Sequence, residues 1–215
     1  MSTTIYLIRH GESEANERDV FLGHYDLSLT QNGRNQAAMT AAYLAEYAPV
    51  PDAIYTSDLK RAYETAQYTA ERLHKSVITE KELREIDAGD WDNRSFDDLI
   101  KHFAESYHTW LTDIGHARCD GGESVEELRE RVVSYIMQIA QIHDGGVVFL
   151  FTHATPIRAF AAHCLRKTRE EMKTVPWATN ASVTKVIFEA AEFRLVEYSR
   201  DDFMGDSVTK LPENV

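Results

Sequence analysis

Cysteine is scarce in this chain of 215 residues, which has Cys119 and Cys164 and no others. Two cysteines cannot build a disulfide framework, and their spacing matches no metal-binding pattern. Positive charge is short as well, with 23 Lys and Arg against 35 Asp and Glu and a formal net charge of -12. A nucleic-acid partner needs a basic stripe to meet its phosphate backbone; none is present, so no nucleic acid is expected. An anion site in such a chain has to be a local cationic pocket inside a repulsive overall field. No apolar run is long enough to cross a bilayer, so no membrane partner is expected. The first strand begins close to Met1 with no signal-peptide pattern before it, and the expected setting is the cytoplasm. Repeats and low-complexity tracts are missing too. What remains is an ordinary globular composition at a length suited to one α/β domain with room for a small cap.

The chain is organised around Ile5-Tyr6-Leu7-Ile8-Arg9-His10-Gly11-Glu12. An apolar, β-branched run ends abruptly in a cation and an imidazole, and a glycine follows. A buried parallel strand looks like this when it delivers polar side chains to its carboxyl end, where open α/β sheets bind ligands. Arginine beside histidine suits an anion, phosphate above all. Taken alone, the stretch reads equally well as a strand stopping at a polar turn.

Arg9 to Asp26 has no period and reads as an irregular loop. Thr30 is an N-cap, and Ala37 to Tyr47 carries apolar residues at helical spacing until Pro49 and Pro51. Ala53 to Thr56 is a short strand, followed by Ser57 as cap and a helix from Leu59 to about His74. Ser76 to Thr79 is a brief third strand. From 80 to 122 acidic residues mix with Trp91, Phe96, Phe103, Tyr107 and Trp110, which reads as a loop and a small helical cap inserted in a single domain spanning 1-215. Ser124 and Glu127 form a capping box that opens a helix to about His143. Val147 to Phe151 is fully apolar and therefore central in the sheet. Thr155-Pro156 starts the next helix, which runs to about Leu165, and a short one follows Thr168. Ser182 to Phe188 and Phe193 to Tyr198 alternate like strands of a hairpin joined through Ala190-Ala191-Glu192. The last dozen residues read as ragged. This order predicts an α/β fold: a three-layer α/β/α sandwich, mostly parallel with an antiparallel edge strand, plus the cap.

The two most apolar strands are followed by Arg9-His10 and by Thr152-His153. In a parallel sheet both histidines leave at the same edge. Arg61 lies in the first turn or so of the helix after the second strand, near that edge. Arg9, His10, Arg61 and His153 can therefore converge on one pocket, where two guanidiniums would neutralise a phosphoryl dianion. Helix N-termini after His153 and Ser57 add backbone N–H donors.

These residues resemble the histidine phosphatase superfamily, phosphoglycerate-mutase-like branch. Arg9-His10-Gly11-Glu12 with Asn16, then Leu29-Thr30, Gly33 and Gln36-Ala37, match its opening signature. Ser57-Asp58-Leu59, Arg61-Ala62 and Thr65-Ala66 match a second block, and Leu83-Arg84-Glu85, Gly89 and Trp91 a third. Gly122-Glu123-Ser124 and Thr152-His153 complete the order. The resemblance implies that His10 is the nucleophile that becomes phosphorylated. Arg9, Arg61 and His153 would clamp the phosphoryl group, with Asn16, Gly23 and Ala154 also binding substrate and Glu85 as the proton donor to the leaving oxygen. Position alone would make Glu85 a solvent-facing carboxylate among Glu80, Glu82 and Asp87. Glu12 and Glu123 read as supporting groups, and His24, His102, His108 and His116 as surface or substrate-rim residues. Ala154 stands where the family commonly has glycine, so that turn must avoid positive φ or accept strain. Asn93 also replaces a usual glycine, and asparagine tolerates the left-handed region.

The implied chemistry is metal-free and cofactor-free hydrolysis of a small organic phosphate ester by a monomer or homodimer. Phosphoglycerate mutase-type transfer is the alternative within the family, disfavoured because a mutase needs extra sequence to keep water from the phosphohistidine. An inactive phospho-ligand binding protein is the alternative from another class; it is disfavoured because both histidines, both arginines and Glu85 are present. Phe21, Leu22, Tyr25, Trp91 and Trp110 suggest a partly apolar pocket mouth.

Overall fold

A computed structural model describes residues 1–210. The elements run β1 (Thr3–Arg9), α1 (Glu14–Arg18), α2 (Gln31–Tyr47), β2 (Ala53–Thr56), α3 (Lys60–Leu73), β3 (Val77–Thr79), α4 (Phe96–His102), α5 (Ala104–Thr112), α6 (Val125–Ile142), β4 (Val147–Thr152), α7 (Ala154–Cys164), β5 (Val183–Glu189) and β6 (Glu192–Arg200), with short 3₁₀ turns between some of them. The strands form one sheet in the order β3-β2-β4-β1-β5-β6. β1, β4, β2 and β3 pair in parallel. β5 runs against both β1 and β6, so the antiparallel pairing expected at the edge begins one strand further in.

The period of two along β1 and β4 divides the core. Ile5, Leu7, Val148 and Leu150 face a cluster that includes Leu128, Val132 and Ile136 of α6 and Ile157 and Phe160 of α7. Tyr6, Ile8, Phe149 and Phe151 face the other way, toward Leu44 of α2 and Ala66 and Ala70 of α3. Helices cover both faces, which is why these strands read as unbroken apolar runs. The aromatic residues of 80–122 join the first cluster, with Trp91, Tyr107 and Trp110 all buried.

Local signals placed most helix starts. Ser124 and Glu127 exchange the two bonds of a capping box at α6, and Thr30 accepts from Gly33 N–H at α2. The polar first turns of α2 carry no apolar period, so the helix begins at Gln31, ahead of the apolar stretch.

Four local expectations need correction. Ser57 does not occupy the cap position of α3: that position is Leu59, whose N–H donates to Ser57 Oγ at 3.3 Å, and Asp26 Oδ1 accepts from Lys60 N–H at 2.8 Å. The loop after β1 contains the short helix α1, started where Asn16 Oδ1 accepts from Ser13 N–H at 2.9 Å. After Thr168 only a 3₁₀ turn forms, Met172–Thr174. The C-terminal stretch is packed as far as Thr209: Phe203 stacks on Tyr43 at 4.4 Å, Gln36 Nε2 donates to the Ser207 carbonyl at 2.6 Å, and Thr209 Oγ1 donates to Glu12 at 2.7 Å. The remainder of that stretch, 211–215, lies outside the described residues.

Candidate active site

Strand register builds the floor of the site. Arg9 stands opposite Thr152 in the β1–β4 pairing, so the next residue of each strand, His10 and His153, leaves the sheet beside the other. Their ring centroids are 5.1 Å apart, edge to face. His10 Nδ1 lies 2.7 Å from the Gly11 carbonyl. That oxygen can only accept, so the proton sits on Nδ1 and the lone pair on Nε2. The backbone carbonyl of His10 accepts from Ala181 N–H at 3.0 Å and from Asn180 Nδ2 at 3.2 Å, which fixes the residue from behind. His153 Nε2 is 2.8 Å from Ser57 Oγ, and its Nδ1 is buried with no hydrogen-bond partner.

Gly11 is required by close approach. A Cβ there would sit 2.4 Å from the Gly33 carbonyl, and one on Gly33 would sit 2.0 Å from the Glu12 carbonyl. The loop after His10 thus packs backbone to backbone on the start of α2.

The two arginines are buried among neutral acceptors. Arg9 Nη1 donates to the Ala178 carbonyl at 2.5 Å. Arg61, 1% exposed, donates to the carbonyls of Gly23 at 2.8 Å and Tyr25 at 3.2 Å. The Nε of each is buried without a partner. Burial lowers both to about 10, opposed by the charge of Glu85, so both remain cationic at neutral pH. His10 is held well below the usual imidazole range, first by burial and then by Arg61 and Arg9. His153 is lowered as well, by burial and then by Arg61 and His10. The floor is therefore a neutral imidazole with a free lone pair beside two cations whose charges no contacting carboxylate neutralises, which is suited to a phosphoryl dianion.

Glu85 follows the 3₁₀ turn Lys81–Leu83 and is 7% exposed. One carboxylate oxygen accepts from Ile86 N–H at 2.8 Å and the other from Thr155 N–H at 3.3 Å, in the first turn of α7. Thr152 Oγ1 donates to the Leu83 carbonyl at 2.6 Å, and Arg84 makes a bidentate pair with Asp58. These bonds hold the Glu85 segment against the ends of β4 and β2.

A cavity opens on this floor, lined there by Arg9, His10, Arg61, Glu85, Asn16 and Ala154. Asn16 Oδ1 is occupied by Ser13, which leaves its Nδ2 as the group able to donate to a ligand. His153 lies behind His10, fully buried. Gly23 spends its carbonyl on Arg61 and its N–H on Asp92 Oδ1 at 2.8 Å, so it holds the arginine in place. Of the residues expected at the mouth, Phe21, Leu22 and Trp110 line the cavity. Trp91 is wholly buried core bonded to Asp120, and Tyr25 faces solvent. His24 is half-buried and donates from Nε2 to the Glu85 carbonyl at 3.0 Å, a closer tie to the site than a rim position. His102 and His108 are exposed, and His116 pairs with Asp113. Glu12 accepts from Thr30, Asn32 and Thr209, and Glu123 pairs with Arg131, as supporting groups do. Ala154 opens α7 without positive φ, and Asn93 takes φ 60. Among the described residues no group of His, Cys, Asp or Glu is arranged to hold a metal ion.

Sequence reasoning missed Ser57 as the partner of His153, Asn180 and Ala181 behind His10, and Phe96 and Trp177 on the cavity wall. Ser57 was visible as a polar residue at a strand end, yet a helix-cap reading accounted for it equally well. Asn180, Ala181 and Trp177 come from an aperiodic loop that carries no such signal.

The family model of the histidine phosphatase superfamily (branch 1) matches residues 5–201. The chain belongs to that superfamily. The branch expected from the ordered motif blocks is the one found, and phosphatase activity comes with it. This histidine phosphatase is 32% identical over 155 residues to phosphoserine phosphatase 1 of Hydrogenobacter thermophilus, 72% of each chain being covered. It is 31% identical over 189 residues to a 2,3-bisphosphoglycerate-dependent phosphoglycerate mutase of Mesorhizobium japonicum, covering 85% of this chain and 91% of the mutase. The solved structure of Bacillus stearothermophilus YhfR superposes with a TM-score of 0.88 at 25% identity, covering 94% of this chain and 99% of that one.

Proposed function

We propose that this histidine phosphatase hydrolyses monoesters of small organic phosphates through a phosphohistidine on His10. The observation that carries the reading is the neutral His10, its Nε2 lone pair free, beside the buried cations Arg9 and Arg61. In the first step Nε2 attacks phosphorus in line, the P–O ester bond breaks, and the leaving oxygen takes a proton from Glu85. Arg9 and Arg61, with the amide of Asn16, stabilise the charge that develops on the equatorial oxygens, and His153 supports the His10 ring from behind. In the second step Glu85 takes a proton from water, the water oxygen attacks phosphorus, and the P–N bond breaks to release phosphate and restore His10. Gly23 serves the phosphate by positioning Arg61, and Ala154 by opening the helix that caps the acid.

Residues 80–122 act as a cap within one domain. The setting is cytoplasmic, the partner is a small phosphate ester and not nucleic acid, and the protein is a monomer or homodimer. The net charge of -12 supports the exclusion of nucleic acid, and no helix of the described residues is long and apolar enough to cross a membrane. Mutase-type transfer is the second reading, favoured by the likeness to the Mesorhizobium enzyme. Quenching in alkaline detergent during turnover of p-nitrophenyl phosphate tests the proposal. The expected product is an acid-labile, base-stable phosphoryl group on His10; a phosphoryl group on another residue overturns it. Release of free phosphate from p-nitrophenyl phosphate, with no phosphoryl transfer to an added alcohol, separates hydrolysis from mutase-type transfer.

A further inference from the structure

Above its charged floor the cavity is walled by hydrocarbon. Phe21 and Leu22 enter from the loop after α1, Phe96 from α4, Trp110 from α5, Ile86 from the residue after the acid, and Trp177 from the loop before β5. The rings brace one another. Phe21 meets Trp110 edge-on at 5.0 Å, and Trp110 stacks on Trp177 at 6.1 Å and 26°. Behind Trp177 the guanidinium of Arg158 sits 4.2 Å from the ring centroid, is 7% exposed, and donates to the Lys173 carbonyl at 3.3 Å. The wall is thus preformed, which limits the ordering cost when a ligand covers it.

The charges on the lining are as informative as the rings. Among the described residues the charged side chains that line the cavity are Arg9, Arg61, Glu85 and Asp19. The first three belong to the phosphoryl end, and Asp19 is exposed at the rim, where α1 ends. A carboxylate or a second phosphate on the alcohol part of a substrate would lose its water to hydrocarbon and meet a like charge at the rim. An unpaired charge in such surroundings is strongly disfavoured. An apolar group gains from the same wall.

We propose that the substrates of this enzyme are phosphate monoesters whose alcohol part is apolar and large enough to lie against Phe21, Trp110 and Trp177, with anionic alcohols such as phosphorylated hydroxy acids rejected. This rests on the cavity floor being a phosphoryl site, as in the reading above.

The test compares esters with the same kind of primary alkyl leaving oxygen, so that leaving-group chemistry cancels: ethyl phosphate, 2-phenylethyl phosphate and 2-carboxyethyl phosphate. The kcat/KM for the phenylethyl ester is expected to exceed that for ethyl phosphate by roughly 10- to 100-fold, with the carboxyethyl ester below both. In Trp177→Ala the phenylethyl-to-ethyl preference falls about tenfold, and Trp177→Phe restores most of it. A parallel titration of the wild-type enzyme with 3-phenylpropylphosphonate and 3-carboxypropylphosphonate reads the same preference without turnover. Tighter binding of the phenyl compound with no hydrolysis of any ester would leave this inference standing and remove the hydrolase reading. Equal or tighter binding of the carboxylate, or a preference unchanged in Trp177→Ala, overturns the inference itself.

Discussion

The floor and the wall of the cavity are built on opposite terms. The floor consists of charged and titratable groups: Arg9 and His10 at the end of β1, which is paired in register with β4, Arg61 in the first turn of α3, and Glu85 after the 3₁₀ turn that β4 holds through Thr152. The wall consists of apolar side chains from loops and from α4 and α5, which reach the site from widely separated parts of the chain. Each floor residue is bonded from behind: His10 through its carbonyl, Arg9 and Arg61 through carbonyl acceptors, Glu85 through two backbone N–H groups. The wall residues are held mostly by one another. In the proposed reaction the phosphoryl chemistry would fall to the hydrogen-bonded floor, and selection of the alcohol to elements that can vary without disturbing it.

Breaking the floor is expected to have the largest effect. His10→Ala removes the proposed nucleophile and should lower kcat on the order of 10⁴-fold or more, while the thermal midpoint stays near that of the wild type. Steady-state kinetics beside a melting curve checks both. A variant retaining a tenth of the activity would remove His10 from the reaction.

Glu85→Gln separates the acid from the cations around it. Alkyl phosphates need a proton on the leaving oxygen and should slow by roughly two to four orders of magnitude. A nitrophenyl ester leaves as a stable phenolate, so its first step suffers far less. The second step lacks its base, and rapid mixing should record a burst of nitrophenol followed by slow turnover. Equal slowing of both substrates without a burst would make Glu85 a positioning group only.

The buried histidines give the floor a pH signature that the wall cannot have. His10 and His153 are both held well below their unfolded value of about 6.5, first by burial and then by the neighbouring arginines. Below pH 6.5 the unfolded chain takes up protons at these positions and the folded chain does not. Their contribution to stability is therefore complete above pH 6.5 and is lost as pH falls from there toward their lowered values. The loss is about 1.4 kcal/mol per pH unit for each histidine. Urea unfolding should show stability falling between pH 7.5 and 5.5 and approaching that slope below pH 5.5, and His153→Gln should make the fall shallower. An unchanged slope would mean that the ring is already charged in the folded protein.

The smallest effect is expected far from both regions, at the β5–β6 turn. Ala190 and Ala191 both adopt positive φ, 51° and 63°, a conformation that suits Asn-Gly. Replacing the pair by Asn-Gly should raise stability by about 1 kcal/mol with turnover unchanged, as unfolding curves and kinetics can read.

The sequence by itself determined the order of strands and helices, both covered faces of the sheet, and the meeting of Arg9, His10, Arg61 and His153 at one edge. Those features follow from local rules: a period of two or of 3.6, a cap residue, and the fact that parallel strands end on the same side. Glu85 lay beyond those rules. The run Glu80, Glu82, Glu85 and Asp87 is equally acidic throughout, and only likeness to a family singled out one of its members. Tertiary structure decided that Ser57 reaches His153, across 96 positions, as well as the cap residue of α3, and that Asn180 reaches back 170 positions to the carbonyl of His10. It also decided that Trp91 is core while Phe96 and Trp177 line the cavity, and that the C-terminal stretch packs on α2 as far as Thr209. The reason is physical: a hydrogen bond or ring contact between distant segments leaves no periodic mark on either one, so neither can be found until the chain brings them together.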